Sequence, residues 1–244
     1  MTGGARRTGR PARTLVVTAV AAERDAVCAA GGPYTPHTLP GGLALHRGTG
    51  TGPVLDVLAA GVGPAAAAAG TATALTAAAL DGAPYSLVIS AGIGGGFAPA
   101  APLGSVVVAD ALTAADLGAE TPEGFLPVTE LGFGTVTHHP DPALVRAVAA
   151  ACGAHTGPVL TVSTVTGSAA RAAELTARHP GALAEAMEGF GVAEAAVAHG
   201  AGVLEIRTVS NAVGPRDRAA WRIGPALTAL TGAFAALPAA LRAL

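Results

Sequence analysis

The sequence predicts an α/β protein in which a central, largely parallel sheet is covered by helices on both faces. Apolar, β-branched runs alternate with longer alanine-rich stretches along the chain, as in strands joined by crossover helices. The runs at 15–20 and 86–90 lack the polar–apolar alternation of a half-exposed strand, which indicates strands covered on both faces. A length of 244 residues suits one domain of this class with a sizeable core.

Five strands and two helices are predicted in the first half of the chain. The strands are the apolar runs at 15–20, 42–46, 54–60, 86–90 and 104–112. A helix over 23–30 stops at two glycines, and a second helix begins at Pro64 and runs to about residue 80. Proline suits that first helical position because the N–H that it lacks would have no partner there.

The second half of the chain continues the alternation. Strands are predicted at 159–165 and 203–210, and helices at 141–152, 168–179, 187–199 and 218–244. Asp141 followed by proline is a typical helix start, whereas Pro225 and Pro238 are positions where the last helix can break. Because no internal repeat or linker divides the chain, residues 14–244 are predicted to form a single domain.

The composition excludes several classes of function. The 14 basic and 16 acidic residues nearly balance, so the chain lacks the basic stripe that a nucleic-acid-binding protein needs. Two cysteines are too few for a disulfide framework or a metal cluster. All the basic residues are arginines, and Asn211 is the only asparagine in a chain without lysine or glutamine.

The amino terminus, 1–13, carries four arginines and is expected to be a flexible basic tail. The apolar run that follows resembles the core of a signal peptide, but it is short and meets the charged residues of 23–25 at once. A buried first strand is therefore the favoured interpretation. No stretch reaches the roughly 20 apolar residues of a membrane span. The sequence thus predicts a cytoplasmic protein without membrane contact.

A glycine cluster follows the strand predicted at 86–90, in the run SAGIGGGFAP at 90–99. Its spacing does not fit the dinucleotide fingerprint, and a phosphate-binding loop would need the lysine that this chain lacks. Glycines after a strand allow a ligand to approach the backbone closely. Spacing alone slightly favours the other interpretation, a tight turn under packed helices.

Three polar side chains lie at strand ends in otherwise apolar surroundings: Glu23 and Asn211 follow predicted strands, and Glu188 follows a strand-like segment. Ligands of open α/β sheets bind at the carboxyl ends of strands, and a carboxylate walled by apolar side chains is suited to activating water. Taken singly, the two glutamates are better explained as first-turn helix residues and Asn211 as a turn residue. Their shared placement at strand ends favours a site.

At these residues the chain resembles the nucleoside phosphorylase and nucleosidase family, over nearly everything after residue 13. VVTAVAAERDAV is similar to the family's first strand and catalytic glutamate, and the glycine runs resemble its glycine-started helix and its "TGSAGGLxP…GDIVVSD" stretch. The most specific matches are AEAMEGFGVAEAA and IRTVSNAVG with their spacing. The resemblance implies a three-layer fold with a mostly parallel mixed sheet, and an enzyme that cleaves a nucleoside's N-glycosidic bond.

The resemblance also assigns roles to individual residues. Glu23 falls on the glutamate that activates the attacking water, and Glu188 on the glutamate that holds the ribose hydroxyls. Met187 would pack against the sugar, and Gly92 would lie beside the substrate. No metal and no organic cofactor is implied.

The leaving base is expected to meet Asn211, together with Ser210 and the backbone near Thr164 and Thr166. Adenine-specific members of the family carry an aspartate at the position of Asn211. An amide offers both a donor and an acceptor, which suits a 6-oxopurine, but it cannot protonate the base as an acid. Hydrogen bonds to the developing purine anion would have to serve instead.

A second departure concerns phosphate. Phosphorylases of the family hold it with an arginine and a serine around the first glycine of the cluster, where this chain has Ser90 and Ile93. An oxyanion would lack its charge partner there, so water is the expected nucleophile, although Arg24 and Arg47 remain as sources of charge.

The carboxyl-terminal stretch VSNAVGPRDRAAWRIGPAL resembles one subgroup, menaquinone-pathway hydrolases of a hypoxanthine nucleoside with a benzoate on its 5′ extension. Arg216, Arg218 and Arg222 with Trp221 form the only dense arginine–aromatic cluster. We expect Arg218 and Trp221 to bind the substrate, and an exposed helix start explains the cluster equally well.

In the family, a neighbouring subunit completes the 5′ pocket in the region matching 116–125, which implies a homodimer or higher homo-oligomer. Two enzymatic alternatives remain: a purine nucleoside phosphorylase, or a nucleosidase of the inosine or methylthioadenosine type. A non-catalytic nucleoside-binding protein is the remote alternative, and a sensor would not need Glu23.

Overall fold

The computed structural model describes residues 13–50 and 54–242. Its strands are β1 (Arg13–Thr18), β2 (Tyr34–Thr38), β3 (Ala44–Gly48), β4 (Val54–Ala59), β5 (Leu87–Gly96), β6 (Val106–Ala114), β7 (Gly118–Thr121), β8 (Gly124–Pro127), β9 (Thr137–His138), β10 (His155–Thr161), β11 (Ala184–Ala186) and β12 (Gly202–Ala212). Its helices are α1 (Ala21–Cys28), α2 (Pro64–Leu80), α3 (Pro142–Cys152), α4 (Ala169–Arg178), α5 (Gly189–Ala198) and α6 (Ile223–Arg242), with 3₁₀ turns at Pro40–Gly42 and Arg218–Ala220.

The main sheet is mixed and centres on β5. Strands β4, β1, β5 and β12 run parallel, while β3 and β2 continue one edge in antiparallel pairing. On the other side, β11 pairs with both β10 and β5, so β5, β12, β6, β10 and β11 close a ring of five strands. This closure brings the end of β11 beside the glycines of β5. The α/β prediction is confirmed.

Two apolar clusters cover the opposite faces of the sheet, because successive side chains of a strand point to opposite sides. In β1, Leu15 and Val17 pack in the cluster that includes residues of α2 and α5. Val16, between them, packs in the cluster that includes residues of α1, α3 and α6. The three layers thus follow from strands that are buried on both faces.

The glycine cluster does not form a turn, which corrects the interpretation that its spacing favoured. Residues 92–96 continue β5, and each of them pairs with β12, with which β5 runs parallel. Helix α6 is also unbroken: Pro225 lies in its first turn, where an N–H needs no partner, and Pro238 is tolerated within its last turns. The short strands β2, β7, β8 and β9 were not predicted.

Within the described residues, α6 is the one helix with the length and apolar composition of a membrane span. Leu230, Phe234 and Leu237 are buried in the second apolar cluster, against the sheet. Its composition is therefore explained by a place in the core. Of the tail expected over 1–13, only Arg13 is described, and it begins β1 with an ion pair to the buried Asp56.

Candidate active site

A cavity of about 310 Å³ opens where β1, β5 and β12 end. Seven of the ten predicted site residues line it: Glu23, Thr166, Met187, Glu188, Ser210, Asn211 and Trp221. Residues that are distant along the chain therefore lie together at the ends of these strands. Gly92, Thr164 and Arg218 do not line this cavity.

Glu23 is held at one wall of the cavity with its carboxylate in a fixed orientation. Oε2 accepts hydrogen bonds from the backbone N–H groups of Ala19 (3.0 Å) and Val20 (3.3 Å), and Oε1 accepts one from Ile93 (2.9 Å). As the third residue of α1, Glu23 completes a helix cap, so the helix-end explanation and the site explanation both hold. Burial raises the pKa of Glu23, opposed by the charge of Arg207 and by these hydrogen bonds.

Glu188 is a second buried carboxylate in the cavity wall, and it contacts the buried Arg207. It directly precedes α5, and its Oε1 accepts a hydrogen bond from Gly63 N–H at the start of α2 (3.3 Å). Its Oε2 lies 3.2 Å from Nη1 of Arg207. Only 4% of Glu188 is exposed, so the carboxylate is available to a ligand only from the cavity.

Arg207 is the central residue that the sequence analysis missed. It is buried in β12, where Nε donates to Glu205 (2.8 Å) and Nη2 donates to Ser90 (2.9 Å). Burial acts to lower the pKa of Arg207, but the carboxylates of Glu205, Glu188 and Glu23 outweigh it and raise that pKa. The signal was present in the sequence, since Glu205 and Arg207 are two residues apart on one face of a buried strand.

This network holds one cation among three buried carboxylates. Burial raises the pKa of Glu205 as well as that of Glu23, and Arg207 opposes the rise in both. One positive charge cannot neutralise three negative ones, so full ionisation is disfavoured. A carboxylate with a raised pKa is the type of group that accepts a proton from water near neutral pH.

Gly92 has a steric role in the structure, while its predicted place beside the substrate stays a prediction. A Cβ at this position would lie 2.5 Å from Oε1 of Glu23 and 2.9 Å from Nη1 of Arg207. Gly92 therefore makes room for two functional side chains. The glycines of β5 that do line the cavity are Gly94 and Gly95.

Asn211 ends β12 at the cavity wall. Its Oδ1 accepts a hydrogen bond from the Ser210 hydroxyl (2.9 Å), and its Nδ2 donates to the carbonyl of Ala212 (3.0 Å). Thr166 lines the cavity on the facing loop, whereas Thr164 is exposed outside it. The amide thus keeps a donor and an acceptor at the place expected for the base.

The arginine–aromatic cluster is divided by the structure. Arg216 lines the cavity, and its guanidinium carbon lies 5.2 Å from the ring centre of Trp221. Arg218 lies 5.9 Å from the same ring but outside the cavity. Arg222 donates to the carbonyls of Ala219 and Trp221. Of these three arginines, Arg216 is therefore the one that lines the cavity, and substrate binding by Arg218 stays a prediction.

Among the described residues, three arginines that could serve an oxyanion beside Glu23 already have acceptors of their own: Arg207, Arg24 and Arg47. Each nitrogen of Arg207 has an acceptor, and its charge is shared among carboxylates. Arg24 pairs with Asp25, and Arg47 lies 3.7 Å from Asp81. Within the described chain, no group of three or more His, Cys, Asp and Glu residues is placed to hold a metal ion.

Comparisons with known proteins identify the family of this chain. The phosphorylase superfamily model matches residues 13–237. A futalosine hydrolase of Streptomyces coelicolor is 70% identical, over 91% of this chain and 94% of that protein. A futalosine hydrolase of Acidothermus cellulolyticus is 50% identical, over 93% of this chain and 91% of that protein.

Solved structures show the same fold. A methylthioadenosine/S-adenosylhomocysteine nucleosidase of Colwellia psychrerythraea, in complex with adenine, superposes with a TM-score of 0.81 at 19% identity and covers 95% of this chain and 96% of its own. An S-adenosylhomocysteine nucleosidase of Streptococcus pyogenes gives a TM-score of 0.79 at 19% identity, with 99% of both chains covered. At such identities the likeness shows the fold alone.

Proposed function

Since this chain belongs to the phosphorylase superfamily, and within it to the family of the futalosine hydrolases, we propose that it hydrolyses futalosine to hypoxanthine and dehypoxanthine futalosine. The observation that carries the proposal is the buried Glu23, oriented by three N–H groups and facing a cavity that also holds Glu188 and Asn211. The proposed place of the reaction is menaquinone biosynthesis.

Glu23 acts as the general base. It takes a proton from a water molecule in the cavity as the bond between the ribose C1′ and the purine nitrogen loosens. The oxygen of that water then forms the new bond to C1′, and the base departs with the electrons of the broken bond. The departing purine takes up a proton from solvent to give hypoxanthine, and Glu23 returns its proton to solvent. The three N–H groups on the carboxylate keep an oxygen aimed at one place, which favours attack from one face.

Glu188 holds the ribose and stabilises the positive charge that develops on it. Its carboxylate accepts hydrogen bonds from two sugar hydroxyls, while Arg207 and Gly63 N–H fix its position. Net negative charge in the network lowers the energy of an oxocarbenium-like transition state.

Asn211 and Ser210 stabilise the departing base. As negative charge develops on the purine, the amide N–H donates to it, and such a bond to a charged group contributes about 1.5–3 kcal/mol. The hydroxyl of Ser210 fixes the amide through Oδ1.

The decisive experiment compares substrates with and without phosphate. We expect the enzyme to release free hypoxanthine from futalosine faster than from inosine, and to release little adenine from methylthioadenosine, at rates independent of phosphate. Formation of a ribose 1-phosphate product would overturn hydrolysis in favour of phosphorolysis. Tight futalosine binding without release of base would favour a non-catalytic binding protein.

The proposal includes a cytoplasmic homodimer or higher homo-oligomer. Leu117 and Phe133, which flank the β7–β8 hairpin, are 41% and 63% exposed, and apolar side chains of this size favour a protein partner. Sedimentation velocity should show an oligomer, and a monomer at assay concentrations would contradict it.

A further inference from the structure

Glu185 is a buried carboxylate in the cavity wall to which the mechanism above gives no role. It lies in β11, 5% exposed, and lines the cavity together with Asn211. Neither Arg207 nor any other arginine forms an ion pair with Glu185 among the described residues. A buried charge without an ion pair is costly, which is a reason to look for a ligand that uses it.

The sheet places Glu185 and Asn211 on either side of one glycine. Glu185 of β11 is in register with Gly95 of β5, and Asn211 of β12 is in register with the same Gly95. Because residues in register point to one face, the two side chains stand on the same side of the sheet, two strand spacings or roughly 10 Å apart. A Cβ on Gly95 would lie 2.9 Å from Cγ2 of Val213 and 3.2 Å from Nδ2 of Asn211, so any side chain there would crowd the slot over Gly95 on its Asn211 side.

Glu185 is the acceptor in both of its hydrogen bonds with Thr166. Thr166 donates to it twice, from its backbone N–H (2.8 Å) and from its hydroxyl (2.5 Å). Both contacts use Glu185 as an acceptor, and each carboxylate oxygen keeps a further lone pair for a ligand. Burial raises the pKa of Glu185, and the two bonds from Thr166 oppose this rise.

We propose that Glu185 reads the N1–H edge of the purine and that the slot over Gly95 selects a 6-oxopurine. Hypoxanthine in its 6-oxo form carries a hydrogen on N1, which the carboxylate accepts, while Asn211 meets the opposite edge of the ring. Adenine has a bare N1, so an acceptor would face an acceptor. A site built to bind an N–H group rejects an analogue that lacks it. This inference rests on the proposed function and names the residue that sets its base specificity.

Glu185→Gln tests the proposal, since glutamine has the same size and can either donate or accept. Calorimetric titration with free bases should show that the wild type binds hypoxanthine at least about tenfold more tightly than adenine, and that the variant loses most of this preference. An unchanged preference in the variant would overturn the proposal. Glu130→Gln, an exposed carboxylate outside the cavity, is the matched control and should keep the wild-type preference.

If Glu185→Gln does not fold, the same titration is made on the wild-type protein with 1-methylhypoxanthine, a base that lacks the N1 hydrogen. Binding as tight as that of hypoxanthine would overturn the proposal, and a loss of at least about tenfold supports it. Titration of free bases does not depend on turnover. If the protein hydrolyses futalosine but its base preference does not depend on Glu185, the proposed function stands and the role of Glu185 is wrong. If it binds hypoxanthine through Glu185 but does not hydrolyse futalosine, only the proposed function is wrong.

Discussion

At the scale of single residues, Glu23 determines the chemistry, and its replacement is the most direct test. Glu23→Gln keeps the size of the side chain and one oxygen acceptor but removes the general base. The kcat for release of hypoxanthine should therefore fall by about 10²–10⁴-fold. Glu174→Gln, an exposed carboxylate outside the cavity, should leave kcat unchanged. Turnover retained in Glu23→Gln would remove Glu23 from this role.

The pKa of Glu23 predicts a pH dependence. Because burial raises this pKa above 4.5, the base becomes protonated at a higher pH than an exposed glutamate would. Activity should therefore be full above the raised pKa and fall as the pH drops through it. A profile of kcat against pH measures this limb, and an activity that stays constant down to pH 4.5 would contradict it.

Asn211 determines which hydrogen bonds the protein forms with the leaving base. Asn211→Asp replaces the amide donor with an acceptor, or with an acid that suits an aminopurine. We expect kcat/KM for futalosine to fall by about tenfold or more, while that for methylthioadenosine stays level or rises. An unchanged ratio of the two values would contradict recognition of the base by this amide.

Arg216 is the candidate partner for the benzoate of the substrate. Arg216→Met should lower kcat/KM for futalosine by about 10–100-fold, the effect of one charge-assisted hydrogen bond, with little change for inosine. Arg218→Met is a matched control because Arg218 also lies near Trp221 but outside the cavity. Equal effects of both variants would show that the cluster acts only through general charge.

At the scale of secondary structure elements, β5 must come close to α1 and β12 so that their side chains meet. Gly92→Ala places a Cβ against Glu23 and Arg207, which should cost about 1–3 kcal/mol of unfolding free energy and most of the activity. Gly232→Ala in α6 has open space and should be neutral or stabilise by up to about 1 kcal/mol. Denaturant titration compares the two, and a Gly92→Ala variant as stable as the wild type would contradict the steric account.

The sequence predicted those elements whose signal is local. Strand β1, whose centre is an apolar run, and the proline-started α2 lie close to their predicted bounds. Strand β11 has three residues and no β-branched side chain, so its pairing with β5 depends on closure of the ring rather than on local preference. Glu185 could not be placed in the site without that pairing, whereas Glu23 and Asn211 could be placed from the ends of predicted strands.

At the scale of the whole molecule, Arg207 joins elements from both halves of the chain. From β12 it contacts Ser90 and Ile93 of β5, and Glu188 at the start of α5. The sequence shows the spacing of Glu205 and Arg207, but the contacts of Arg207 with Ser90, Ile93 and Glu188 are long-range and no local pattern predicts them. The network couples the stability of the fold to the protonation of its carboxylates.

Arg207→Met tests this coupling. Removing one partner of a buried ion pair costs about 3–5 kcal/mol, because the remaining charge is left uncompensated. Without Arg207, the pKa values of Glu23 and Glu205 rise further above those of the unfolded chain, so the folded state loses stability as the pH rises through them. At low pH the carboxylates are neutral, and the loss should be smaller. Chemical denaturation at pH values near 5 and 8 measures the difference.

The matched control for that measurement is Arg146→Met, an exposed arginine on α3. Its effect on unfolding free energy should stay within about 0.5 kcal/mol at either pH, as for surface substitutions in general. The largest effect that we expect is an Arg207→Met variant that folds near pH 5 but not near pH 8. A destabilisation of equal size at both pH values would instead mean that Arg207 acts by packing, and that the carboxylates around it do not share its charge.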